Sequence, residues 1–305
     1  MKQCYIESLD ETFRRTTCIL ISKINSIISE YLAAGYRLTV RQLYYQLVAR
    51  AIVENTERSY KRIISTVNDG RLAGLIDWDV IEDRTRAFSA LARWESGKQR
   101  LEFAAHGFHM DMWEGQETRA FVIVEKEALA GVLERACHAY DVPLLAARGY
   151  PSATVLREFV IRDLEPAIME GQRIQILHLG DHDPSGIDMT RDLRERITLF
   201  LSGCETDGNA SDSFNLERIA LNMDQVRALK PPPNPAKVTD SRFDAYRKKF
   251  GSESWELDAL QPQFLSDLVQ RNIKTYIDDD KWTARELQIA SVTEKLKATA
   301  RKFKE

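Results

Sequence analysis

The chain has 305 residues, of which 44% are hydrophobic and 29% are charged, a composition typical of folded soluble domains and unlike disordered or fibrous chains. This length allows about two domains, each with its own hydrophobic core. The formal net charge is −3, so any binding of nucleic acid would depend on local basic patches rather than on the overall charge.

The cysteines and the N-terminus bear on where the protein works. Cys4, Cys18, Cys137 and Cys204 are far apart and lack the paired spacing of a zinc site or a disulfide framework. The N-terminal sequence MKQCYIESLDETFRR lacks the apolar core of a signal peptide, and no apolar run approaches the ~18 to 20 residues that span a bilayer. We therefore expect a cytoplasmic protein with no membrane partner.

The N-terminal region predicts three helices followed by a small hairpin. Apolar residues recur at helical spacing in three segments: residues 11–34, a segment that starts at the capping residue Thr39, and residues 57–72. Two short strand-like runs follow them: residues 75–78 and 80–83. This order is typical of a winged helix-turn-helix, which we place at residues 37–88, after an N-terminal helix within residues 1–36.

A local excess of positive charge accompanies these helices. Between Arg37 and Arg71 there are seven basic residues and three acidic ones, a local charge of +4. Arg58, Lys61 and Arg62 share one face of the third predicted helix. We predict that they contact the phosphates of double-stranded DNA, with an ordinary solvated helix face as the alternative.

The second half of the chain predicts an α/β domain. After a connector at residues 89–117, strands and helices alternate over residues 118–305. The predicted strands are residues 121–124, 143–147 and 174–179, and the predicted helices are residues 127–140, 152–169, 185–201, 254–278 and 282–303. Repeated strand–helix units predict a parallel sheet with helices on both faces and a site at the carboxyl ends of its strands.

Three carboxylates follow two of these predicted strands directly. Glu125 ends the first strand, and Asp181 and Asp183 end the third, in ILHLGDHDPSG. Carboxylate oxygens and water are the ligands that Mg²⁺ prefers, so the three residues predict a Mg²⁺ site for phosphoryl transfer. The alternative is structural: Asp181 would be a turn residue and Asp183 a helix N-cap.

Several short motifs together resemble a known family. VIVEKEAL, ARGYPSA and LGDHDPSG resemble the Toprim domain of the topoisomerase VI A subunit, and TVRQLYYQL resembles the winged-helix domain that precedes it. The resemblance covers roughly residues 37–265, includes the late string SWELDAL, and is closest to the small stand-alone Mini-A members. It implies Glu125, Asp181 and Asp183 as metal ligands, although Ser185 stands where the broader Toprim pattern has a third aspartate.

The same resemblance draws attention to a tyrosine. The family's DNA-cleaving tyrosine ends an Arg-x-x-aromatic-Tyr string, which here runs from Arg41 to Tyr45. Adjacent helical residues point about 100° apart, and Tyr44 belongs to the apolar stripe whereas Tyr45 falls outside it. Arg41 lies one turn before Tyr45, so its charge would lower the phenol pKa and could hold a phosphate. A structural tyrosine on the helix surface is the alternative.

These residues predict a Mg²⁺-dependent DNA-cleaving enzyme. Tyr45 would attack a backbone phosphate and form a phosphotyrosyl end. The resemblance implies a homodimer, in which the tyrosine of one protomer meets the metal of the other. Strand passage would need a separate ATPase subunit, because the chain has no P-loop. A hydrolytic Toprim nuclease, with a defence role among its possible uses, and a non-catalytic DNA-binding module are the two rival interpretations.

Overall fold

The N-terminal part of the molecule is a cluster of three helices. The computed structural model describes residues 2, 4–6, 9, 12–81, 91–202 and 213–303. The three helices are α1 (Arg15–Ala33), α2 (Val40–Ala49) and α3 (Glu57–Leu72), close to the bounds that the sequence predicts. The Thr39 side chain accepts a hydrogen bond from the Gln42 backbone, and the Gln42 side chain accepts one from Thr39, so the predicted capping box is confirmed.

The predicted hairpin after α3 is wrong in the part of it that the structure describes. The backbone N–H groups of Leu75 and Ile76 donate to the Gly70 carbonyl, at 2.8 and 3.0 Å, and so close the end of α3 instead of starting a strand. A single 3-10 turn follows at Trp78–Val80. Residues 82 and 83, the rest of the second predicted strand, lie outside the described residues.

The rest of the chain is built on a parallel sheet. Its strands are β1 (Thr118–Val124), β2 (Leu144–Ala146), β3 (Arg173–Leu179) and β4 (Phe214–Ala220), in the order β2-β1-β3-β4. All three pairings are parallel, so the predicted α/β class is confirmed. The sequence analysis missed β4, whose residues alternate between buried and exposed in its first half and lack the continuous apolar run of a central strand.

Helices cover both faces of this sheet, as predicted. The helices of this part of the chain are α4 (Gly97–His106), α5 (Ala130–His138), α6 (Ala153–Phe159), α7 (Glu165–Met169), α8 (Pro184–Leu201), α9 (Met223–Leu229), α10 (Phe243–Phe250), α11 (Pro262–Lys274) and α12 (Asp279–Lys302). A small antiparallel pair joins β5 (Asn234–Pro235) and β6 (Glu253–Ser254). Within the described ranges, no helix has the length and apolar character needed to cross a lipid bilayer.

Two apolar clusters fill the space around the sheet. Phe121 and Ile123 on one face pack with residues of α6, α7 and α8, such as Leu193. The other face, which includes Val122, belongs to a cluster that extends without a break to Ile24 and Leu43 in the N-terminal helices. The helical part and the sheet part therefore share one continuous core.

Two predicted helices differ from those observed. The helix expected at residues 152–169 is interrupted by a π turn at Val160–Leu164. Pro166, which cannot donate a backbone hydrogen bond to the preceding turn, explains the interruption. The helix expected at residues 254–278 begins only at Pro262, because the residues before it bind the turn that follows β3, as described below.

Helix α8 offers a direct test of the second cluster. Leu193 on α8 is fully buried, and Leu193→Ala should lower the free energy of unfolding by about 2–5 kcal/mol because it leaves a cavity. Leu199 on the same helix is 65% exposed, so Leu199→Ala should change the free energy by no more than about 0.5 kcal/mol. Urea unfolding of both variants measures the difference, and equal effects would contradict the packing described here.

Candidate functional site at the carboxyl ends of the strands

The three carboxylates that follow β1 and β3 come together in the fold. Glu125 directly follows β1, and Asp181 and Asp183 follow β3, its neighbour in the sheet. One oxygen of Glu125, Oε2, accepts a hydrogen bond from the backbone N–H of Asp181 at 2.9 Å. The convergence expected from the sequence is therefore present.

The two aspartates have different local roles. Asp183 caps α8, since its Oδ1 accepts a hydrogen bond from the Gly186 backbone at 2.6 Å. The Oδ1 atom of Asp181 accepts one from the Leu257 backbone at 2.7 Å. The capping interpretation is thus correct for Asp183, whereas Asp181 binds a segment that is distant in the sequence.

A single backbone pairing brings this distant segment to the site. The N–H of His182 donates to the Trp255 carbonyl at 2.8 Å, and the N–H of Trp255 donates to the His182 carbonyl at 3.0 Å. The His182 ring is buried and contacts the hydroxyl of Tyr246 at 2.8 Å. The pairing places Glu256 and Asp258, from the SWELDAL string, beside residues 180–183. We call these residues, which follow β3 and include Asp181 and Asp183, the acidic turn.

Glu256 and Asp258 form an ion-pair cluster with two cations. The Lys126 Nζ atom lies 2.9 Å from Asp181, 2.7 Å from Glu256 and 3.0 Å from Asp258. Arg41 of α2 reaches the same carboxylates, with Nη2 at 2.6 Å from Glu256 and Nε at 3.1 Å from Asp258. The side chain of Asp258 is completely buried, so these two cations compensate its charge. We call these residues, with Asp181, the Lys126 cluster.

Burial and charge shift the pKa values in this cluster. Burial raises the pKa of Asp181 to about 7, against the opposing effect of Lys126. Burial would also raise the pKa of Glu256, but Lys126 and Arg41 outweigh it and lower that pKa to about 2. Lys126 is itself largely withdrawn from solvent, and the three surrounding carboxylates nevertheless raise its pKa, so its ammonium group stays charged.

Glu125 and Asp183 stand apart from these ion pairs. Among the described residues, neither has a cation within 4.0 Å, whereas Asp181 has Lys126. Burial raises the pKa of Glu125, and the charge of Asp183 adds to that rise. Two close carboxylates without a cation suit a hard divalent ion, which would relieve their repulsion.

The fit to a metal ion is nevertheless partial. In the described part of the chain, no group of three or more His, Cys, Asp or Glu side chains is arranged to hold a metal ion. The oxygens of Asp181 are already occupied by the Leu257 backbone and by Lys126. Glu125 and Asp183 are therefore the ligands that the structure offers, and Asp181 could join them only by leaving Lys126.

Sequence reasoning missed Arg218, which fixes the backbone of the acidic turn. Arg218 lies on β4 and donates to the carbonyl oxygens of Gly180 at 2.9 Å, Asp181 at 2.6 Å and Gly186 at 2.9 Å. Its burial lowers the pKa of the guanidinium to about 10. Recognition of β4 would have been needed to find it, since only that strand places residue 218 next to the turn.

Both neighbouring tyrosines of α2 are buried, with Tyr44 3% and Tyr45 4% exposed. The Tyr44 hydroxyl donates to Asn55 Oδ1 at 3.0 Å, in agreement with the predicted core position. The expectation that Tyr45 lies on the helix surface is wrong. The residues that follow Trp255 cover this side of α2, as the contacts between α2 and the 3-10 turn at Leu257–Ala259 show.

The pKa of Tyr45 is raised, not lowered as Arg41 alone would make it. Burial is the largest cause, and the negative charges of Asp258 and Glu256 add to it. Arg41 does lower the pKa, but by less than the other effects raise it. In this arrangement the phenol is protonated at neutral pH.

The five residues predicted to cleave DNA or to bind the metal ion nevertheless line one cleft of about 610 Å³. Its walls include Arg41 and Tyr45 from α2, and Glu125, Asp181 and Asp183 from the strand ends. A cleft of this size, bordered by residues from both parts of the molecule, is large enough to bind a ligand.

The basic residues of α3 lie on its exposed face, near this cleft but not in its walls. Arg58, Lys61 and Arg62 are all exposed. Lys61 pairs with Glu57 at 2.8 Å, and in the described residues Arg58 and Arg62 have no ion-pair partner. The part of α3 that lines the cleft is its first turn, which includes Glu57 and Tyr60. The three basic residues are thus available to a ligand that extends beyond the cleft.

Comparisons with known proteins give no match. No protein-family model matches the chain, and no curated protein or solved structure matches it either. The interpretation of the site therefore depends on the residues and contacts described above.

Removal of the central cation tests the Lys126 cluster. Lys126→Met should lower the free energy of unfolding at pH 7 by about 3–5 kcal/mol, because it leaves the buried Asp258 without one of its cations. The exposed Lys61 forms only a surface pair with Glu57, so Lys61→Met should have little effect on the free energy of unfolding.

The effect of Lys126→Met should also depend on pH. Lys126 helps to lower the Glu256 pKa from 4.5 to about 2, and such a pair stabilises the fold above pH 4.5. This contribution is lost as the pH falls through about 2. Urea unfolding across this range should therefore show a shrinking difference between wild type and variant. A constant difference would contradict the pairing with Glu256.

Proposed function

We propose that this protein is a divalent-metal-dependent DNA-cleaving enzyme, with an N-terminal helical domain and an α/β domain that correspond to the winged-helix and Toprim domains of the topoisomerase VI A subunit. One observation carries the proposal. Arg41 and Tyr45 line the same cleft as Glu125, Asp181 and Asp183, although more than 75 residues separate the two groups in the sequence. A nucleophile, a phosphate-binding cation and a carboxylate set in one cleft are the parts that phosphodiester cleavage by a tyrosine requires.

In this proposal Arg41 releases the Glu256 carboxylate and binds a DNA phosphate instead. It now pairs with Glu256 at 2.6 Å and remains 43% exposed, so a DNA phosphate in the cleft can reach its guanidinium. Arginine binds phosphate as well as carboxylate through two parallel hydrogen bonds. A phosphate held by Arg41 would lie beside the Tyr45 hydroxyl, which sits one helical turn away.

The cleavage step itself is a transesterification. The Tyr45 oxygen forms a bond to phosphorus, and the bond from phosphorus to one sugar oxygen breaks. The phenol proton passes to solvent, and the leaving sugar oxygen takes up a proton from solvent. The product is a nick with one phosphotyrosyl end, and the reverse reaction reseals it. Two copies of the chain would be needed to cut both strands, and strand passage would need a separate ATPase subunit.

Glu125 and Asp183 would hold a Mg²⁺ ion at this site, joined by Asp181 when it leaves Lys126. When bound, the ion would neutralise charge that develops on the phosphate oxygens. Lys126 then has Glu256 and Asp258 as remaining partners, so its charge stays compensated. The backbone that carries these ligands is held in place by Arg218.

A specific observation favours a second candidate function, a hydrolytic nuclease. Tyr45 is buried, and its pKa is raised by that burial and by the charges of Asp258 and Glu256. If Tyr45 keeps this structural role with DNA bound, the carboxylate site would activate water instead, as in other Toprim nucleases. The two functions differ in whether protein stays covalently attached to the cut DNA.

A plasmid cleavage assay distinguishes these functions. Purified protein is incubated with supercoiled plasmid and Mg²⁺ or EDTA, then treated with SDS, with or without protease, before electrophoresis. We expect Mg²⁺-dependent nicking with protein attached, at least about 100-fold weaker in Tyr45→Phe and in Asp181→Asn, since each removes a reacting or charge-stabilising group. Tyr44→Phe is the matched control and should retain the adduct, because Tyr44 contacts Asn55 instead of the carboxylates.

Each other outcome has a definite meaning. Cleavage that survives Tyr45→Phe but is lost in Asp181→Asn identifies the hydrolytic nuclease. DNA binding without cleavage, unaffected by Mg²⁺ and by Asp181→Asn, identifies a non-catalytic DNA-binding module and contradicts the proposal.

The exposed face of α3 is tested by the salt dependence of DNA binding. If Arg58 and Arg62 contact phosphates, Arg58→Ala and Arg62→Ala should each reduce the slope of log K against log salt by about 1, regardless of DNA sequence. Arg173 is also exposed but lies on β3, far in sequence from this face, so Arg173→Ala is a suitable control. Unchanged slopes for Arg58→Ala and Arg62→Ala would show that this helix face is only solvated.

A further inference from the structure

One basic residue of the cleft, Lys237, differs from the other two in its surroundings. The basic residues that line the cleft are Arg41, Lys126 and Lys237. Arg41 and Lys126 both pair with Glu256 and Asp258, at distances between 2.6 and 3.1 Å. Lys237 is exposed and, among the described residues, has no ion-pair partner. Arg41 must therefore release a carboxylate before it can bind another anion, whereas Lys237 has none to release.

Lys237 lies in a proline-rich segment, residues 230–242, that is attached to the sheet part of the molecule. The preceding residue, Ala236, is buried, and its backbone N–H donates to the Ser252 carbonyl at 2.9 Å. Just before Ala236, β5 pairs with β6. The N–H of Asp240 donates to the Lys237 carbonyl at 3.1 Å and closes a turn. The backbone of Lys237 is therefore held on both sides.

The end of the proline-rich segment is attached to α8, the helix that follows the acidic turn. The Arg242 Nε atom lies 2.9 Å from Asp188 Oδ2 on α8, and the Arg242 guanidinium lies 5.3 Å from the centre of the Tyr150 ring. The Tyr150 hydroxyl lies 2.9 Å from the same aspartate oxygen and 3.1 Å from the Ser185 carbonyl oxygen. Ser185 itself lines the cleft. The segment is thus fixed to the helix that begins beside the carboxylates.

The charges around the cleft show why a phosphate there needs a further cation. The Lys126 cluster, with Glu125 and Asp183, contains five carboxylates, whereas Arg41 and Lys126 supply two positive charges. A divalent ion on Glu125 and Asp183 would still leave one formal negative charge, which repels a phosphate. Lys237 balances that charge, and a lysine ammonium group binds phosphate as a point charge with three N–H donors.

We propose that Lys237 binds the DNA phosphate that lies at the carboxylate site. Its ammonium group donates to a phosphate oxygen and stabilises the charge that develops there during cleavage. This inference rests on the proposed function and assigns a further substrate-binding residue to the same site. It applies to transesterification and to hydrolysis alike, and it holds whichever chain supplies the tyrosine, because Lys237 belongs to the part that carries the carboxylates.

DNA binding tests this contact independently of cleavage. The affinity for a fluorescein-labelled DNA duplex is measured against salt concentration at a fixed concentration of Ca²⁺, which binds carboxylate oxygens as Mg²⁺ does. Lys237→Met should reduce the slope of log K against log salt by about 1, and Lys237→Arg should keep the wild-type slope because it keeps the charge.

Lys248→Met is the matched control for this measurement. Lys248 is exposed on α10, close in sequence to Lys237, but it does not line the cleft. Its removal should leave the slope unchanged. The urea midpoint of Lys237→Met should equal that of the wild type, since the side chain is exposed. A Lys237→Met slope equal to that of the wild type or of Lys248→Met would overturn the proposal.

Cleavage kinetics distinguish a contact at the reacting phosphate from one farther along the DNA. Lys237→Met should lower the cleavage rate in Mg²⁺ by about 10-fold or more even at saturating DNA, because the phosphate is then bound but misplaced. Lys248→Met should cleave at the wild-type rate. Full recovery of the Lys237→Met rate at saturating DNA would show that Lys237 contacts a remote phosphate and would overturn the proposal.

The two measurements separate the inference from the function on which it rests. A wild type that binds DNA but does not cleave it would contradict the proposed function, while the salt slopes would still decide whether Lys237 contacts a phosphate. A wild type that cleaves, with slopes and rates that Lys237→Met leaves unchanged, would keep the function and reject the role of Lys237. A wild type that binds no DNA would contradict both.

Discussion

The ion pairs of the Lys126 ammonium group with three surrounding carboxylates are the interaction on which the rest of the site depends. Asp258 has no exposed surface, and without Lys126 and Arg41 its charge would have to be neutralised by protonation. The same cation binds Glu256, which also pairs with Arg41 on the helix that carries Tyr45. Charge compensation therefore adds a polar link between two segments that also share an apolar core, and residues of both segments line the cleft.

Local sequence patterns predicted β1, β2 and β3 of the sheet, because the signal of each strand is short and local. Each central strand is a short apolar run that ends at an acidic or turn residue, a signal contained within about ten residues. The position of Glu125 and Asp181 at neighbouring strand ends follows from parallel pairing alone. By contrast, the role of Glu256 depends on the pairing of Trp255 with His182, some 70 residues earlier, and no local pattern encodes such a contact.

Tyr45 shows a related limit of sequence reasoning. The apolar stripe of α2 correctly identified Tyr44 as part of the helical core, because periodicity reports the face that packs within a domain. A second contact surface on the same helix is polar and charged, so it leaves no apolar stripe. The sheet part covers Tyr45 through this second surface, and its burial reverses the pKa shift expected from Arg41 alone.

Arg218 fixes the backbone conformation of the acidic turn, which the carboxylates of that turn cannot do. Its guanidinium donates to carbonyls in the turn after β3 and in the first turn of α8, and so replaces the water that would otherwise solvate them. A lysine could not hold these acceptors in the same fixed directions. The loop is thus ordered during folding, before any substrate arrives, and ligand binding need not supply the entropy of shaping it.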